Sequence, residues 1–176
     1  KPELYTVLEH LPPIVKDKMW LAGGAVRRTL QGEKLESDLD FFFKDEETLK
    51  NYKKELEEKG AKQTNVTETN EMYTIRIKDN DYFIQLIYFQ YYPTVNHLLD
   101  SFDYTITQFA TDGENLYCGE YALWDLARKR LVLHRLTYGV ATLRRLLKYT
   151  KQGFKACTGT FTSILSKVVN NPRLIN

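Results

Sequence analysis

In the first half of the chain, segments with the hydrophobic period of a helix alternate with apolar runs that are typical of strands. Apolar residues spaced three and four apart predict a helix over residues 45–59, with Asp45 as its N-terminal cap. Residues 39–43, which are apolar except for Asp40, predict a strand that is covered on both faces. Further strands are predicted at residues 19–22, 61–67, 72–78 and 82–89, with a hairpin turn at KDND before the last one.

Helical spacing is found between these strands and again toward the end of the chain. An alternating segment at residues 104–111 predicts one more strand, which turns at Asp112-Gly113, and residues 131–134 are predicted to be extended. The other predicted helices cover residues 2–10, 24–30, 94–99, 122–128, 141–152 and 160–169. Strands that come first and helices that come last predict an α+β fold, in which helices flank a mixed sheet.

Composition limits the class of protein. Hydrophobic residues make up 43% of the 176 residues, enough for a core, and no apolar run approaches the roughly 20 residues of a membrane span. Cys118 and Cys157 show no CxxC spacing, so we expect free thiols in a reducing compartment and a cytoplasmic location. The three histidines are scattered, which argues against a zinc site.

The net charge of +2 conceals an asymmetry between the two ends of the chain. All 23 acidic residues lie within residues 1–125, whereas residues 126–176 contain eleven of the 25 Lys and Arg residues. Such a segment is consistent with a nucleic-acid footprint and also with an ordinary solvated surface. The eleven cations are Arg128, Lys129, Arg130, Arg135, Arg144, Arg145, Lys148, Lys151, Lys155, Lys167 and Arg173.

Asp38 and Asp40 are separated by one residue at the start of the apolar strand. Residues i and i+2 of a strand point to the same face, so the two carboxylates are expected to lie side by side. They repel each other unless a cation lies between them, and Mg²⁺ uses one or two carboxylates together with substrate phosphates. The pair is therefore a candidate magnesium site.

Gly23 and Gly24 lie between the first strand and the helix that follows it. Small residues at such a junction allow phosphate oxygens to approach the backbone N–H groups at the helix start. Arg27, one turn later, is placed to add a charge-assisted contact. Glycines and carboxylates in this order predict a site for a triphosphate and its metal.

The segment GGAVRRTLQGEKLESDLDFFF resembles the GGxVRDxLLG…DxDxxx pattern of the class II tRNA nucleotidyltransferase and poly(A) polymerase family, within the DNA polymerase beta-like superfamily. Three later segments, FDYTITQFATDG, YALWDLARKRLVLHR and TLRRLLKYTKQGF, are similar to the RRDFTINAxxxD, GGxxDLxxGxxR and LRxxRFxxxLGF segments of that family. The resemblance implies a nucleotidyltransferase head domain over residues 1–135 and a basic, helical, neck-like extension over residues 136–176. It also implies that Asp38 and Asp40 bind two Mg²⁺ ions, with Mn²⁺ as an alternative, that Gly23, Gly24 and Arg27 hold the triphosphate, and that Asp103 lies near the nucleotide.

The chain departs from the family pattern at several positions. Arg28 replaces an Asp, and Ser101-Phe102 replace two arginines. Gln85 falls where a third carboxylate is expected on a neighbouring strand. The nucleotide-selecting EDxxR pattern aligns with residues 137–141, where none of it remains, and this argues against CCA addition.

Two functions follow from this sequence. The first is a magnesium-dependent transfer of a nucleoside monophosphate from an NTP to an acceptor hydroxyl, with release of pyrophosphate. An RNA 3′ end held by Arg144, Arg145, Lys148 and Lys151 is the preferred acceptor, and a small molecule or a protein side chain is an alternative. The second function is that of a catalytically degenerate head domain that only binds nucleic acid or protein.

Overall fold

The structure is a computed structural model, and it describes residues 1–170 of the 176-residue chain. Arg173 and the last residues of the predicted neck-like extension lie outside the described residues. The chain divides into two compact units. The sheet unit comprises Lys1–Leu98 and Phe109–Tyr117, and the helical unit comprises Leu99–Gln108 and the chain from Cys118 onward. This division does not test the predicted domain boundary after residue 135, which stays a prediction.

The sheet has seven strands in the order β3-β4-β5-β2-β1-β6-β7. Strand β2 pairs in parallel with β5 and antiparallel with β1, so the sheet is mixed. Strand β2 therefore lies in the interior of the sheet. The strands are β1 (Met19–Ala22), β2 (Leu39–Phe43), β3 (Lys62–Val66), β4 (Asn70–Ile77), β5 (Asn80–Ile87), β6 (Phe109–Thr111) and β7 (Leu116–Cys118).

Four helices accompany these strands: α1 (Glu3–Glu9), α2 (Gly24–Leu30), α3 (Glu46–Glu58) and α4 (Val95–Asp100). The Asp45 side chain caps α3 by accepting a hydrogen bond from the Thr48 backbone N–H at 2.8 Å, as the sequence predicts. Tyr52 on the buried face of α3 contacts Phe41 of β2, with ring centroids 5.2 Å apart. The α+β class with helices on a mixed sheet is confirmed.

The helical unit contains α5 (Ala122–Ala127), β8 (Arg130–Leu131), α6 (Gly139–Lys151), β9 (Lys155–Ala156) and α7 (Thr158–Asn170). Its core is aromatic. Tyr149 lies edge-on to both Tyr104 and Phe154, with centroid distances of 5.8 and 6.3 Å. The buried Tyr104 hydroxyl donates to the Thr142 carbonyl oxygen at 2.7 Å, so the ring joins α6 to the segment before β6.

The predicted strand at residues 104–111 is only partly correct. Residues 105–107 form a 3₁₀ turn, and only Phe109–Thr111 are in a strand. Tyr104, Thr105 and Ile106 are all buried, which a one-sided strand does not allow. The Thr105 hydroxyl donates to buried Asp125 at 2.7 Å, and a hydrophobic pattern carries no information about such a polar partner.

The turn at KDND is confirmed as a tight hairpin turn between β4 and β5, with positive φ at Lys78 and Asp79. The short strands β7 and β9 were not predicted. Both cysteines are free thiols. Among residues 1–170, no helix has the length and apolar character needed to cross a membrane.

Asp112 holds the turn between β6 and β7. Its carboxylate accepts hydrogen bonds from the backbone N–H groups of Glu114 and Asn115, at 2.9 and 2.7 Å, and from the Tyr117 hydroxyl at 2.9 Å. Burial alone would raise the pKa of Asp112, but these hydrogen bonds outweigh it and lower the pKa to about 2.

We expect Asp112→Ala to lower the free energy of unfolding by about 1.5–3 kcal/mol near neutral pH, because it removes hydrogen bonds to a charged group. The folded-state pKa lies below the unfolded value of 3.8. The stabilisation is therefore complete above pH 4 and disappears as the pH falls toward 2. Urea unfolding between pH 7 and pH 2 measures this effect.

Asp112→Asn is the matched control, because its carbonyl oxygen still accepts from the backbone but does not titrate in this range. We expect it to lose less stability than Asp112→Ala. A difference between wild type and Asp112→Ala that stays constant down to pH 2 would contradict the assignment.

Candidate functional site

The two aspartates lie at the start of β2, in the interior of the sheet. Asp40 is within the strand, Asp38 comes directly before it, and Leu39 between them is completely buried. Asp40 lies opposite Ala22 of β1 and opposite Gln85 of β5. The pairing therefore places a carboxylate next to the end of β1, where the two glycines begin.

Gly23 has φ +92° and ψ −155°, a conformation that residues with a side chain rarely adopt. A Cβ atom added to Gly23 would lie 3.2 Å from Asp40 Oδ2. A side chain at Gly23 would therefore crowd the Asp40 carboxylate. Sequence reasoning, which considered only phosphate oxygens here, did not anticipate that Asp40 lies so close to this glycine.

Gly24 begins α2, and a Cβ atom there would lie 3.4 Å from Ser37 Cβ and 3.5 Å from Ser37 Oγ. The Ser37 hydroxyl oxygen is buried and has no hydrogen-bond partner within residues 1–170. Sequence reasoning missed Ser37. Its position directly before the Asp38-Leu39-Asp40 motif was the available signal, and burial of the hydroxyl is visible only in the fold.

Gln85 completes the arrangement from β5. Its Nε2 donates a hydrogen bond to Asp38 Oδ2 at 3.0 Å, and its backbone is in register with Asp40. The amide is therefore adjacent to both members of the carboxylate pair, on the neighbouring strand where the sequence suggested that a third carboxylate would lie.

The donor set of this site fits a magnesium ion. Carboxylate oxygens are the hard ligands that Mg²⁺ prefers, and it needs only one or two of them when phosphates and water complete its shell. The absence of a Cβ atom at Gly23 keeps the space beside Asp40 Oδ2 open to small atoms. Within residues 1–170 there is no cluster of three or more His, Cys, Asp or Glu side chains suited to a metal.

Arg27 is 3% exposed on α2, and its Nη1 donates to Gln31 Oε1 at 2.8 Å. The backbone N–H of Arg27 bonds the Gly23 carbonyl oxygen and closes the first turn of the helix. Arg27 is thus held rigidly one turn after the glycines, and its predicted contact with a triphosphate stays a prediction.

The remaining predicted site residues belong to the helical unit. Asp103 is 4% exposed, and its Oδ2 accepts from Arg145 Nη1 at 2.6 Å and from the Thr142 hydroxyl at 3.3 Å. The predicted nucleotide-binding residue and one of the predicted RNA-binding residues are therefore ion-paired with each other. Their predicted roles in binding are not tested by this pair.

Arg144, Lys148 and Lys151 are exposed on α6, whose buried side consists of Gly139, Thr142, Leu146 and Tyr149. From the sequence alone we expect Leu143, Leu146 and Leu147 to pack together on the side of this helix away from the cations, and for Leu147 that expectation is wrong. Leu147 is 55% exposed, because the buried face of α6 follows the line 139, 142, 146 and 149. A basic face on α6 remains.

Several solved structures share this fold at low sequence identity. A tRNA nucleotidyltransferase complexed with a primer tRNA and an incoming ATP analogue matches 87% of this chain and 47% of its own, with 21% identity and a TM-score of 0.64. A CCA-adding enzyme in complex with CTP matches 99% of this chain and 43% of its own, with 18% identity and a TM-score of 0.66. The Thermotoga maritima CCA-adding enzyme complexed with tRNA matches 87% of this chain and 38% of its own, with 18% identity and a TM-score of 0.61.

These similarities show the fold, which is that of the CCA-adding enzyme head domain. The chain spans less than half the length of these three proteins. No curated protein matches the chain by sequence. Residues 4–129 match the model of a family described as Gabija anti-defense 2.

We expect Gly23→Ala to destabilise the protein by about 1–3 kcal/mol through backbone strain, and also to displace the Asp40 carboxylate. Gly60→Ala is the matched control, since Gly60 has φ +100° and no atom within 4 Å of an added Cβ. Thermal melting is expected to show a loss in both variants, whereas Mn²⁺ titration is expected to show weaker binding only in Gly23→Ala. Equal metal binding by the two variants would contradict the contact between Gly23 and Asp40.

Proposed function

The chain belongs to the Gabija anti-defense 2 family, and we propose that it transfers a nucleoside monophosphate from an NTP to an acceptor hydroxyl in a Mg²⁺-dependent reaction. The observation that supports this most directly is the gathering of Asp38, Asp40 and the Gly23-Gly24 junction at one place in the sheet unit. Paired carboxylates beside a glycine junction match what a metal–triphosphate complex needs. A cytoplasmic location, compatible with the two free thiols, is part of the proposal.

In this reaction the acceptor oxygen attacks the α-phosphorus and the bond from that phosphorus to the bridging oxygen of the leaving group breaks. The hydroxyl proton goes to solvent, and pyrophosphate leaves. Bound Mg²⁺, one or two ions, with Mn²⁺ as a substitute, would favour the deprotonated acceptor and neutralise charge on the leaving group. Asp38 and Asp40 would hold the metal, and the hydrogen bond from Gln85 would keep Asp38 in a fixed orientation.

The phosphates would lie against Gly23 and Gly24, whose missing side chains leave the backbone N–H groups approachable. Arg27 would supply a positive charge from the following turn. The Ser37 hydroxyl, buried beside Gly24 without a hydrogen-bond partner among the described residues, is a further donor that a phosphate oxygen would satisfy. Asp103 is proposed, by family resemblance alone, to lie near the nucleotide.

An RNA 3′ end is the proposed acceptor. The exposed cations of α6 and the absence of acidic residues after Asp125 support it, because RNA binding depends on neutralising phosphates. Arg144, Lys148 and Lys151 are the proposed contacts, whereas Arg145 would have to exchange its bond to Asp103 for a phosphate. The family name refers to anti-defense, and modification of an RNA is one chemical means of such an effect.

The competing function is a binding module without catalysis. Gln85 in place of a carboxylate is the observation that favours it. The retained pair of repelling carboxylates favours the enzyme, since a binding module has no evident need for them. Incorporation of labelled nucleotide from each of the four NTPs into a mixed RNA pool, with and without Mg²⁺, distinguishes the two.

We expect Asp38→Ala and Asp40→Ala each to reduce metal-dependent incorporation to background while the thermal melting temperature stays near that of wild type. Asp81→Ala is the control, since Asp81 is exposed on β5 and makes a surface ion pair with Arg76 at 3.2 Å. Such a pair contributes about 0–1 kcal/mol, so this variant is expected to remain active. Full activity of Asp40→Ala would refute the metal assignment.

If RNA binds α6, the affinity falls steeply with salt, because each neutralised phosphate releases condensed counterion. We expect replacement of Arg144, Lys148 and Lys151 by Gln to reduce the slope of log K against log salt by roughly two units, at about 0.7 per contact for a single strand. Glutamine favours helix, so α6 is expected to persist.

The control for that experiment replaces Lys54, Lys59 and Lys62, three exposed lysines of the sheet unit, by Gln. It changes the net charge equally and is expected to leave most of the slope intact. Equal slopes for wild type and the α6 variant would assign the acceptor to another chemical class, a small molecule or a protein side chain.

A further inference from the structure

Gln85 is the neutral member of a cluster of three polar side chains on two parallel strands. It pairs in register with Asp40 and donates through Nε2 to Asp38 Oδ2 at 3.0 Å. An ionised carboxylate only accepts hydrogen bonds, so the nitrogen of the amide has to face Asp38. The oxygen of the amide is then directed away from that bond.

The three side chains of this cluster differ in formal charge. Asp38 and Asp40 contribute two formal negative charges, and Gln85 contributes none. Mg²⁺ loses its hydration water reluctantly and usually keeps several waters unless substrate phosphates replace them. A site with two carboxylates, one of whose oxygens is already bonded to an amide, is therefore a weak site for the metal alone.

A bound triphosphate changes the affinity of the site for the metal, because it supplies additional oxygen ligands and negative charge at the same position. The metal would then bind much more tightly when the nucleotide is present. By thermodynamic linkage, the nucleotide would bind more tightly with the metal by the same factor.

We infer that Gln85 is a positioning residue that makes metal binding conditional on the nucleotide: its amide orients Asp38 and keeps the site one charge short of holding the ion alone. The inference rests on the proposed function, since it assumes that Asp38 and Asp40 hold a metal–triphosphate complex. It assigns the coupling to the charge that Gln85 lacks, and it assigns the orientation of Asp38 to the hydrogen bond from the amide.

Position 85 has surroundings that do not otherwise require an amide. Its neighbours Ile84 and Leu86 are buried on the other face of β5, and residues 83 and 87 on its own face are Phe and Ile. Asp38 is the partner that the structure gives to the Gln85 side chain. The amide is thus explained by the carboxylate pair and not by the packing of the strand.

The experiment measures protein-bound Mn²⁺ by electron paramagnetic resonance, with and without saturating α,β-methylene analogues of the four ribonucleoside triphosphates. Protein-free samples with the same analogue give the Mn²⁺ that the triphosphate binds in solution, and this amount is subtracted. For wild type we expect at least a tenfold increase in Mn²⁺ affinity when one of these analogues is bound, within the usual range of coupling between sites. For Gln85→Glu we expect Mn²⁺ alone to bind at least about tenfold more tightly than to wild type, with a correspondingly smaller increase from the nucleotide.

Thermal melting gives an independent measurement. Three adjacent carboxylates repel one another, so we expect Gln85→Glu to melt below wild type without metal and to recover when Mn²⁺ alone is added. Gln85→Met removes the hydrogen bond without adding charge, and its affinity for Mn²⁺ alone is expected to stay within about twofold of wild type. Asn65→Asp, on the exposed edge strand β3, is the control for added charge and is expected to match wild type.

Each outcome decides a different point. An equal Mn²⁺ affinity of wild type with and without nucleotide overturns the inference, and so does an unchanged metal-only affinity in Gln85→Glu. An increase in Gln85→Met as large as that in Gln85→Glu shows that charge is not the cause. Failure of wild type to bind Mn²⁺ even with every analogue refutes the proposed function itself, whereas the other three results leave it intact.

Discussion

The candidate site depends on the pairing of β2 with β5 on one side and with β1 on the other. This pairing sets Asp40 opposite Gln85 and opposite the end of β1, next to Gly23. Side chains alternate between the faces of a strand, so a slip of one residue in either pairing would turn Asp40 to the opposite face. Such a slip would place the Asp40 carboxylate on the face where Leu39, Phe41 and Phe43 are completely buried, and burying a charge without a partner is costly.

The protein side chains at the site supply only part of the oxygen ligands that a magnesium ion requires. Two carboxylates lie next to one neutral amide, and the neighbouring Gly23 has no side chain to occupy the space beside Asp40. A buried serine hydroxyl lies beside the second glycine. Two of these features have a cost in the protein alone: the repulsion between the carboxylates, and the Ser37 hydroxyl, which has no partner among the described residues. Both would be relieved by a metal ion or a phosphate. This common relief by a metal ion or a phosphate is the physical basis of the proposed nucleotidyl transfer.

In the helical unit, an ion pair joins two residues that belong to separate sequence motifs. Asp103 and Arg145 were predicted to contact different ligands, and in the structure they contact each other. Their bond, together with the hydroxyl of Thr142, ties the segment before β6 to α6. Arg145 therefore anchors α6 through its ion pair with Asp103. The exposed cations of the same helix take no part in that pair, so α6 keeps a basic face.

The sequence by itself determined the features that depend on local order along the chain. The apolar run of β2, the capped helix α3, the tight turn at Lys78-Asp79, the strand–glycine–helix junction and the position of the two aspartates all follow from spacing and residue type. Only the tertiary structure decided which strands became neighbours. That choice sets the bond from Gln85 to Asp38, the close approach of Gly23 to Asp40 and the burial of the Ser37 hydroxyl. The exposure of Leu147 depends instead on which face of α6 is buried in the helical unit. Contacts between residues 17 to 47 positions apart leave no periodic trace in a sequence, because they are set by strand pairing and packing and not by the local conformation of the chain.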